Sequence, residues 1–348
     1  MLIIMKIDAG RPDVERVVRK VRDLGYVPHE IPGDRRVAVG ITGNRSKLDP
    51  GLFLNLPGVA EAIAVSKPYK LVSREMKKDD TVVRVGGEEI GGREIVFIAG
   101  PCSVESRGQI IEMAWMLKEL GVKFLRGGAY KPRTSPYSFQ GMKLEGLEYL
   151  AEARSLTGLK IVTEVRDTVT LPAVAGCSDI LQVGARNMQN YSLLEALGTT
   201  QRPVLLKRGI SATIEEFLMA AEYILSGGNY DVILCERGIR TFEPSTRFTL
   251  DLNAVPIIKK QSHLPLIVDP SHGVGVWDAV PSMAMAAVAA GADGLIIETH
   301  AHPEAALSDG YQSLKPSTLK ALMDRLRKLS EVMDRSFCVP ETGQREAS

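Results

Sequence analysis

The sequence is poor in cysteine and has no closely spaced cysteine pair. Its 348 residues contain four cysteines, and no C-x-x-C motif occurs among them. Domains that depend on disulfides or on a cysteine-rich metal centre carry many cysteines at short spacings. We therefore exclude a disulfide framework and predict a reducing, cytoplasmic setting for Cys102, Cys177, Cys235 and Cys338.

Long apolar runs and a net charge of either sign are also missing. The longest uncharged run, from Ala279 to Ala292, contains Pro281 and is shorter than the roughly 20 apolar residues of a transmembrane helix. The apolar start MLIIM ends at Lys6, which is too short for a secretory signal. The formal net charge is +1, so no global field favours nucleic acid or an anionic membrane. We predict no nucleic-acid and no membrane partner.

From residue 95 onward, short β-branched runs alternate with segments of helical periodicity. The eight runs are IVFIAG, KFLRGG, KIVTEV, DILQVG, PVLLKRG, VILCERG, PLIVDPS and GLIIETH. Eight βα units over about 240 residues are typical of a (β/α)8 TIM barrel. No G-x-G-x-x-G follows the first run, which argues against an open doubly wound sheet. We predict an α/β chain with a barrel over residues 93–335 and a polar, disordered tail over residues 336–348.

Residues 1–65 have the pattern of a small separate domain. MLIIMKI, RRVAVGI and VAEAIAV are predicted strands, and LDPGLFLNL is a predicted short helix. Pro12 fits the first turn of a longer helix whose apolar residues recur at Val14, Val17, Val18, Val21 and Leu24. The order βαββαβ is ferredoxin-like. Residues 66–92 are predicted to be a basic linker and a β-hairpin that turns at Gly86 and Gly87.

The stretch FLRGGAYKPRTSPYSFQG, residues 124–141, is cationic and contains no acidic residue. In a barrel the carboxyl ends of the strands meet at one rim. Here strand after strand ends in ionisable residues, which include Cys102, Arg126, Glu164, Arg186, Lys207, Arg237, Asp269, His272, Glu298 and His300. A single charged strand end ordinarily begins a solvated loop. Like charges crowded into one mouth, however, cost free energy unless a ligand or metal neutralises them.

The cations of this rim predict an anionic ligand. Arginine side chains bind phosphate and carboxylate through two nitrogen atoms, and lysines add point charges. The set comprises Arg126, Lys131, Arg133, Arg186, Lys207 and Arg237, and it indicates phosphorylated acids as ligands.

Potential metal ligands are present, but their spacing leaves two sets open. Glu298, His300 and His302 alternate along one strand face and could form a site by themselves. A dispersed set of Cys102, His272, Glu298 and Asp309 is the other arrangement. Cys235 lies inside the apolar run VILCERG and is better interpreted as a buried core residue.

The motifs resemble those of 3-deoxy-D-arabino-heptulosonate 7-phosphate (DAHP) synthases, the first enzymes of the shikimate pathway, in the class with a ferredoxin-like regulatory domain. The matching stretches are AGPCSVES, FLRGGAYKPRTSPYSFQG, QVGARN, LLKRG, LCERGIRTFE, VDPSH and ETH followed by ALSDG. A sibling family, 3-deoxy-D-manno-octulosonate 8-phosphate synthase, has K-A-N-R-S-S where this chain has KPRTS. That difference favours the heptulosonate family.

The resemblance implies a role for each site residue. Arg186, Arg237 and the backbone of Gly184 and Ala185 would hold the phosphate of phosphoenolpyruvate, and Arg126, Lys131 and Lys207 its carboxylate. Arg133, Thr134 and Ser135 would hold the phosphate of erythrose 4-phosphate. One divalent metal (Mn, Fe, Zn, Co or Cu) would bind Cys102, His272, Glu298 and Asp309. The predicted catalytic residues are Lys131, Lys207 and Glu164, the last as the group that orients or deprotonates a water molecule.

The resemblance also implies a reaction, an effector and an assembly. The reaction is a metal-dependent condensation of phosphoenolpyruvate with erythrose 4-phosphate. Tyr or Phe would act as a feedback effector through residues 1–65, and the family is typically tetrameric, which predicts a homotetramer. Three alternatives stay open: octulosonate 8-phosphate synthesis, a Schiff-base aldolase that uses Lys207, and a small-molecule sensor without catalysis.

Overall fold

The computed structural model describes residues 1–32, 36–44, 48–63, 68–131, 135 and 137–337. Within these ranges the chain forms two compact units. One comprises residues 1–80 together with residues 260–263, and the other comprises the remaining described residues from Thr81 onward.

The first unit is an antiparallel sheet with two helices. Its elements in chain order are β1 (Leu2–Met5), α1 (Arg11–Asp23), β2 (Val27–Pro32), β3 (Val37–Thr42), α2 (Gly51–Leu54) and β4 (Val59–Ile63). The described strands lie in the order β2-β3-β1-β4, and each neighbouring pair is antiparallel. This is the ferredoxin-like arrangement, so the predicted βαββαβ fold is confirmed.

Helix α1 packs on this sheet because its apolar residues recur on one face. Val14, Val17, Val18 and Val21 are buried and join one core with Ile3 and Ile41 of the sheet. Burying one such side chain contributes roughly 1.5–3 kcal/mol. Pro12 lies in the first turn, where its missing N–H removes no helical hydrogen bond.

The second unit begins with a hairpin and continues as a closed barrel. Strands β5 (Val83–Val85) and β6 (Glu88–Ile90) pair across the turn at Gly86 and Gly87. The parallel barrel strands are β7 (Glu94–Gly100), β8 (Phe124–Arg126), β9 (Lys160–Glu164), β10 (Ile180–Val183), β11 (Val204–Lys207), β12 (Val232–Glu236), β13 (Leu266–Val268) and β14 (Gly294–Glu298). Strand β14 pairs with β7 and closes the ring, which confirms the predicted barrel.

Helices alternate with these strands, as the periodicity predicts. They are α3 (Arg107–Glu119), α4 (Lys143–Thr157), α5 (Leu171–Cys177), α6 (Tyr191–Gly198), α7 (Ile214–Ser226), α8 (Ala254–Gln261), α9 (Pro270–Val274), α10 (Val280–Ala289) and α11 (Pro316–Val332). Helix α7 begins at a capping box in which Thr213 and Glu216 each accept the backbone N–H of the other. No helix in the described ranges combines the length and apolar composition needed to cross a membrane.

The hairpin closes the amino-terminal end of the barrel interior. Val83, Val85 and Ile90 of the hairpin share one buried cluster with the first inward-facing residues of the barrel strands, such as Val96 and Phe124. The interior is therefore filled by side chains at that end, and the open end lies at the carboxyl ends of the strands. Cys235 is fully buried in the same cluster, which confirms its interpretation as a core residue.

The predicted start of the disordered tail, at residue 336, is wrong, because the first two residues of that range form a strand. Ser336 and Phe337 form a short strand, β15 (Ser336–Phe337), parallel to the start of β7. The Phe337 ring is buried and packs edge-to-face on Phe97, with ring centroids 5.7 Å apart. A strand of this length carries no readable periodicity, so the sequence gives no signal for it. Residues 338–348, and Cys338 with them, lie outside the described residues.

We expect the free energy of unfolding to fall in mild acid because of His263. Burial lowers the pKa of this side chain from 6.5 to about 4, and its Nε2 lies 2.8 Å from the carbonyl oxygen of Leu71. Between these two pKa values the unfolded chain binds a proton that the folded chain excludes, so stability falls as the pH decreases. Urea unfolding should show a loss of about 1 kcal/mol between pH 7.5 and pH 5.5 from this group.

His263→Gln replaces the imidazole by an amide, which can still donate a hydrogen bond but cannot titrate. The unfolding free energy of this variant should therefore depend less on pH. His302→Gln is the matched control, because the side chain of His302 is 72% exposed. Equal pH dependence in native protein and His263→Gln would contradict the assignment.

Candidate active site

The carboxyl ends of the barrel strands surround a cavity of about 320 Å³. This is the end at which barrel enzymes carry their active sites. The side chains around the cavity are mostly charged or polar, and they come from the ends of different strands. The lining residues are Arg126, Lys131, Ser135, Ser138, Glu164, Gln182, Gly184, Ala185, Arg186, Lys207, Arg237, Arg247, His272 and Asp309.

Four potential metal ligands lie together at the edge of this cavity. One ligand atom from each of Cys102, His272, Glu298 and Asp309 lies within 4.8 Å of the others. The Cys102 Sγ is 3.2 Å from Asp309 Oδ2, and the His272 Nε2 is 3.3 Å from Glu298 Oε1. Thiol, imidazole and two carboxylates are a donor set that suits several divalent transition metals.

The rival set of Glu298, His300 and His302 is not assembled. Glu298 belongs to the cluster just described, which is the single such group of ligand atoms among the described residues. The His300 Nδ1 accepts the backbone N–H of His302 at 3.0 Å, and its Nε2 lies 3.6 Å from Glu105 Oε2. His302 is an exposed side chain. Alternation along the strand therefore does not translate into a shared site, because His300 lies against Glu105 and His302 is exposed.

A buried carboxylate orients the imidazole of this cluster. The Asp269 Oδ2 lies 2.7 Å from His272 Nδ1, and Oδ1 accepts the His272 backbone N–H at 3.0 Å. Lys207 Nζ also donates to Oδ2, at 2.6 Å. Burial alone would raise the pKa of Asp269, but His272 and Lys207 hold it well below its usual range. With Nδ1 engaged by the carboxylate, His272 presents Nε2 to the cluster, which is the arrangement that metal-binding histidines use.

The remaining ligands have the properties of a site built for a cation. Burial raises the pKa of Cys102 to about 12, so this thiol becomes a thiolate only beside additional positive charge. The Oε1 atom of Glu298 is buried and has no hydrogen-bond partner. Burial would raise the pKa of Asp309, but Arg247 and His272 lower it to about 2, so this carboxylate is ionised. The residues present fit a divalent metal.

The backbone near the site is constrained at two positions, Gly184 by lack of space for a side chain and Asp309 by its conformation. A Cβ on Gly184 would lie 2.2 Å from Glu164 Oε1, so a side chain there would push Glu164 out of place. Asp309 has φ +49, a left-handed conformation that is uncommon outside glycine. Such conformations concentrate at functional sites, where surrounding contacts hold them.

Four cations of the cavity, Arg126, Lys131, Lys207 and Arg237, are buried, and two of them are incompletely hydrogen-bonded. The Arg126 NH1 lies 3.0 Å from Glu298 Oε1, but its Nε and NH1 atoms have no hydrogen-bond partner. The NH1 of Arg237 also has none, and its guanidinium stacks 4.2 Å from the centroid of Phe248. Lys131 Nζ donates to Cys102 Sγ at 3.1 Å. Buried guanidinium nitrogens without a hydrogen-bond acceptor are costly, so this cavity is suited to an anion.

The other predicted binding residues are partly described. Ser135, Gly184, Ala185 and Arg186 line the cavity. Arg133 and Thr134 lie outside the described residues, so their roles stay predictions.

Three side chains of the site have no assigned role in the sequence analysis. Asp269 is named there among the charged strand ends but without a role. Arg247 lies in a loop and Gln312 ends the short 3-10 helix Gly310–Gln312, and neither position belongs to a motif that signals the contact it makes. The Gln312 Nε2 donates to Glu298 Oε2 at 2.7 Å, and Arg247 NH1 lies 3.6 Å from Asp309 Oδ1.

Comparison with known proteins agrees with this geometry. Residues 76–335 match the family model described as DAHP synthetase I family, and residues 1–67 match the DAHP synthase ferredoxin-like domain. The chain belongs to the DAHP synthetase I family. It is accordingly an enzyme, a transferase of the 3-deoxy-7-phosphoheptulonate synthase type.

Individual relatives support the same assignment. The chain is 50% identical to phospho-2-dehydro-3-deoxyheptonate aldolase of Thermotoga maritima, over 96% of this chain and 98% of the relative. The crystal structure of a Thermotoga maritima enzyme of that name superposes with a TM-score of 0.77 at 48% identity and covers 97% of this chain and 98% of its own. A 2-dehydro-3-deoxyphosphooctonate aldolase of Azoarcus is 32% identical over 71% of this chain and 95% of the relative. Similarity to the heptonate enzyme is thus higher and extends over nearly the whole chain.

We expect Cys102→Ser to abolish tight metal binding and turnover while the fold persists. A serine hydroxyl remains protonated where the thiol would ionise on binding the metal. Metal affinity should therefore fall by more than the roughly 10–100-fold that is lost when a residue hydrogen-bonded to a metal ligand is removed. The measurement is titration with Cd²⁺, followed by the ultraviolet absorption of the cadmium–thiolate bond. His302→Ala is the control and should bind Cd²⁺ as the native protein does. Native absorption in Cys102→Ser would refute the thiolate ligand.

Proposed function

We propose that the protein condenses phosphoenolpyruvate with erythrose 4-phosphate to give 3-deoxy-D-arabino-heptulosonate 7-phosphate and inorganic phosphate, the first step of the shikimate pathway. The observation that carries this proposal is the cavity in which partly unpaired buried cations lie beside the Cys102, His272, Glu298 and Asp309 cluster. One substrate carries a phosphate and a carboxylate, and the other carries a phosphate and an aldehyde. The cavity offers groups suited to each.

The cations would divide between the two ends of phosphoenolpyruvate. Arg186 and Arg237, with the backbone of Gly184 and Ala185, would hold its phosphate. Arg126, Lys131 and Lys207 would hold its carboxylate, which would supply the acceptors that Arg126 Nε and NH1 lack. Burial and the neighbouring Arg247 lower the pKa of Arg237. Both effects disfavour the charged guanidinium, and a bound anion would offset them.

The aldehyde partner would approach from the side of the cluster. A divalent metal on Cys102, His272, Glu298 and Asp309 would supply Lewis-acid polarisation of the aldehyde oxygen. Asp269 would keep His272 in the tautomer that leaves Nε2 available. Arg133, Thr134 and Ser135 are proposed to hold the phosphate of erythrose 4-phosphate.

Proton transfers would fall to Lys131 and Glu164. C3 of phosphoenolpyruvate bonds to the aldehyde carbon, and the aldehyde oxygen takes up a proton. Lys131 is well placed to give that proton, because its Nζ lies 3.1 Å from Cys102 Sγ. Water then adds at C2, and phosphate leaves from C2 with its bridging oxygen. Glu164 would orient that water or accept its proton, with Lys207 as the proton partner.

The Schiff-base alternative is disfavoured by the pairing of Lys207. Its Nζ donates to the buried Asp269 Oδ2 at 2.6 Å, so this nitrogen is held by a carboxylate of the site. A Schiff-base lysine must instead bond through the same nitrogen to the substrate carbonyl carbon. Borohydride in the presence of substrate should leave the enzyme active.

A phosphate-release assay tests the proposed substrates directly. The metal-loaded enzyme should release phosphate from phosphoenolpyruvate rapidly with erythrose 4-phosphate and slowly with arabinose 5-phosphate. A preference for arabinose 5-phosphate would favour octulosonate 8-phosphate synthesis. Absence of phosphate release with either sugar would favour a sensor without catalysis.

We expect Arg237→Ala to weaken the binding of phosphoenolpyruvate more than the binding of erythrose 4-phosphate. Loss of one charge-assisted hydrogen-bonding partner costs about 1.5–3 kcal/mol, which corresponds to a roughly 10–150-fold higher KM. Steady-state kinetics with each substrate varied in turn would measure it, and the KM for erythrose 4-phosphate should change little. An increase confined to erythrose 4-phosphate would reverse the proposed orientation of the site.

We further propose that the first unit binds Tyr or Phe as a feedback effector. The catalytic residues proposed here all belong to the barrel, so the ferredoxin-like domain is free to serve regulation. Inhibition requires that the effector bind one arrangement of the protein more tightly than another. A truncated form of the Thermotoga maritima enzyme matches 77% of this chain, which supports the design of an equivalent truncation.

A chain that starts at Pro68 should remain active and lose inhibition by Tyr or Phe. This start retains Tyr69, whose hydroxyl donates to Gln261 Oε1 at 2.8 Å, and keeps the hairpin β5–β6 that fills the barrel. The measurement is initial rate against effector concentration for both chains. An intact enzyme that ignores millimolar Tyr and Phe, or a truncated one that is still inhibited, would contradict the proposal.

A further inference from the structure

The two oxygens of Glu298 have different surroundings. This carboxylate is fully buried at the end of β14. Its Oε2 accepts a hydrogen bond from Gln312 Nε2 at 2.7 Å. Its Oε1 lies 3.0 Å from Arg126 NH1 and 3.3 Å from His272 Nε2, and neither contact has hydrogen-bond geometry. One oxygen is thus occupied by a neutral donor, and the other faces the metal-ligand cluster.

The amide of Gln312 is fixed in one orientation by a second contact. Gln312 is fully buried, and its Oε1 accepts from Arg247 NH1 at 2.8 Å. Rotating the amide by half a turn would place its oxygen against the Glu298 carboxylate and its NH₂ group against the Arg247 guanidinium. Both contacts would then be repulsive, so the guanidinium determines which group Gln312 presents to Glu298.

The oxygens of Asp309 are divided in the same way. Oδ2 lies 3.2 Å from the Cys102 thiol and faces the cluster. Oδ1 accepts from the Tyr311 hydroxyl at 3.1 Å and lies 3.6 Å from Arg247 NH1. Arg247 therefore reaches both carboxylates of the cluster, one directly and the other through Gln312.

We propose that Arg247 and Gln312 are positioning residues that leave each carboxylate with a single oxygen for the metal. The inference rests on the proposed metal site and adds to it a basis for selectivity. Ca²⁺ commonly takes 6–8 oxygen ligands, often with carboxylates that bind through both oxygens. Four single-atom donors that include a thiol and an imidazole instead suit transition metals and leave positions open for a substrate.

Metal titration of the full-length protein tests this. Cd²⁺ is the probe, its thiolate absorption at Cys102 is the signal, and Ca²⁺ is the competitor. In Gln312→Leu the side chain keeps a similar volume but loses both contacts, so Glu298 can bind through both oxygens. We expect Cd²⁺ affinity to fall roughly 10–100-fold, as for other outer partners of metal ligands, while Ca²⁺ competes more strongly than in the native protein.

Arg247→Ala supplies a second variant at a side chain that is 29% exposed, so it tests the same idea if Gln312→Leu fails to fold. It should shift the ratio of Cd²⁺ to Ca²⁺ affinity in the same direction. Arg240→Ala removes an exposed arginine of the same loop and should leave both affinities unchanged.

The outcomes separate the two proposals. Native protein without cadmium–thiolate absorption would refute the metal site itself. If the native protein shows cadmium–thiolate absorption but Gln312→Leu and Arg247→Ala keep its ratio of Cd²⁺ to Ca²⁺ affinity, the positioning role alone would be overturned. A general structural defect would lower the affinities for Cd²⁺ and Ca²⁺ in proportion. A changed ratio of the two affinities therefore identifies a positioning role.

Discussion

The buried carboxylate of Asp269 connects the parts of the site to one another. It caps α9 through the His272 backbone N–H, lies beside the imidazole of the same residue and pairs with Lys207 of β11. The same short helix carries Ser271, whose hydroxyl accepts the backbone N–H of Glu298 at 2.9 Å. One ion-paired side chain thereby holds a proposed metal ligand and a cation of the cavity, and it caps the short helix that is hydrogen-bonded to β14. Removing a single partner from such a buried pair typically costs about 3–5 kcal/mol, because the other charge remains without compensation.

Charge balance explains why the rim is stable before any ligand binds. Arg126 pairs with Glu298, Lys207 with Asp269, and Arg208 with both Glu236 and Asp251. These pairs place carboxylates between cations that would otherwise repel one another across a narrow mouth. The balance is incomplete where Arg126, Arg237 and Glu298 keep buried atoms without hydrogen bonds. Those atoms lie where substrate and metal are proposed to bind, so the incomplete pairing marks the functional part of the rim.

Periodicity and motif spacing were enough to predict the barrel and the ferredoxin-like unit, because both depend on repeated apolar patterns. They also led to Cys102, His272, Glu298 and Asp309, although the spacing alone left His300 and His302 as rivals and a family resemblance had to choose. The strand Ser336–Phe337 and the side chains of Arg247 and Gln312 were beyond prediction for a different reason. Each acquires its role from a partner distant in sequence, as Gln312 does from Arg247, and no local pattern encodes that distance.

The closure of the ring between β7 and β14 bears on how the chain folds as it is synthesised. Strands β7 to β13 each pair with the next strand along the chain, but β7 waits for residues 294–298 before its second edge is covered at Val96 to Gly100. Strand β15 then extends that cover to Glu94 and Ile95. A nascent chain on the ribosome therefore exposes an unpaired apolar edge until residues 294–298 have emerged. Such edges recruit other chains, so chaperones that shield them should matter more for the yield of this protein than for its final stability.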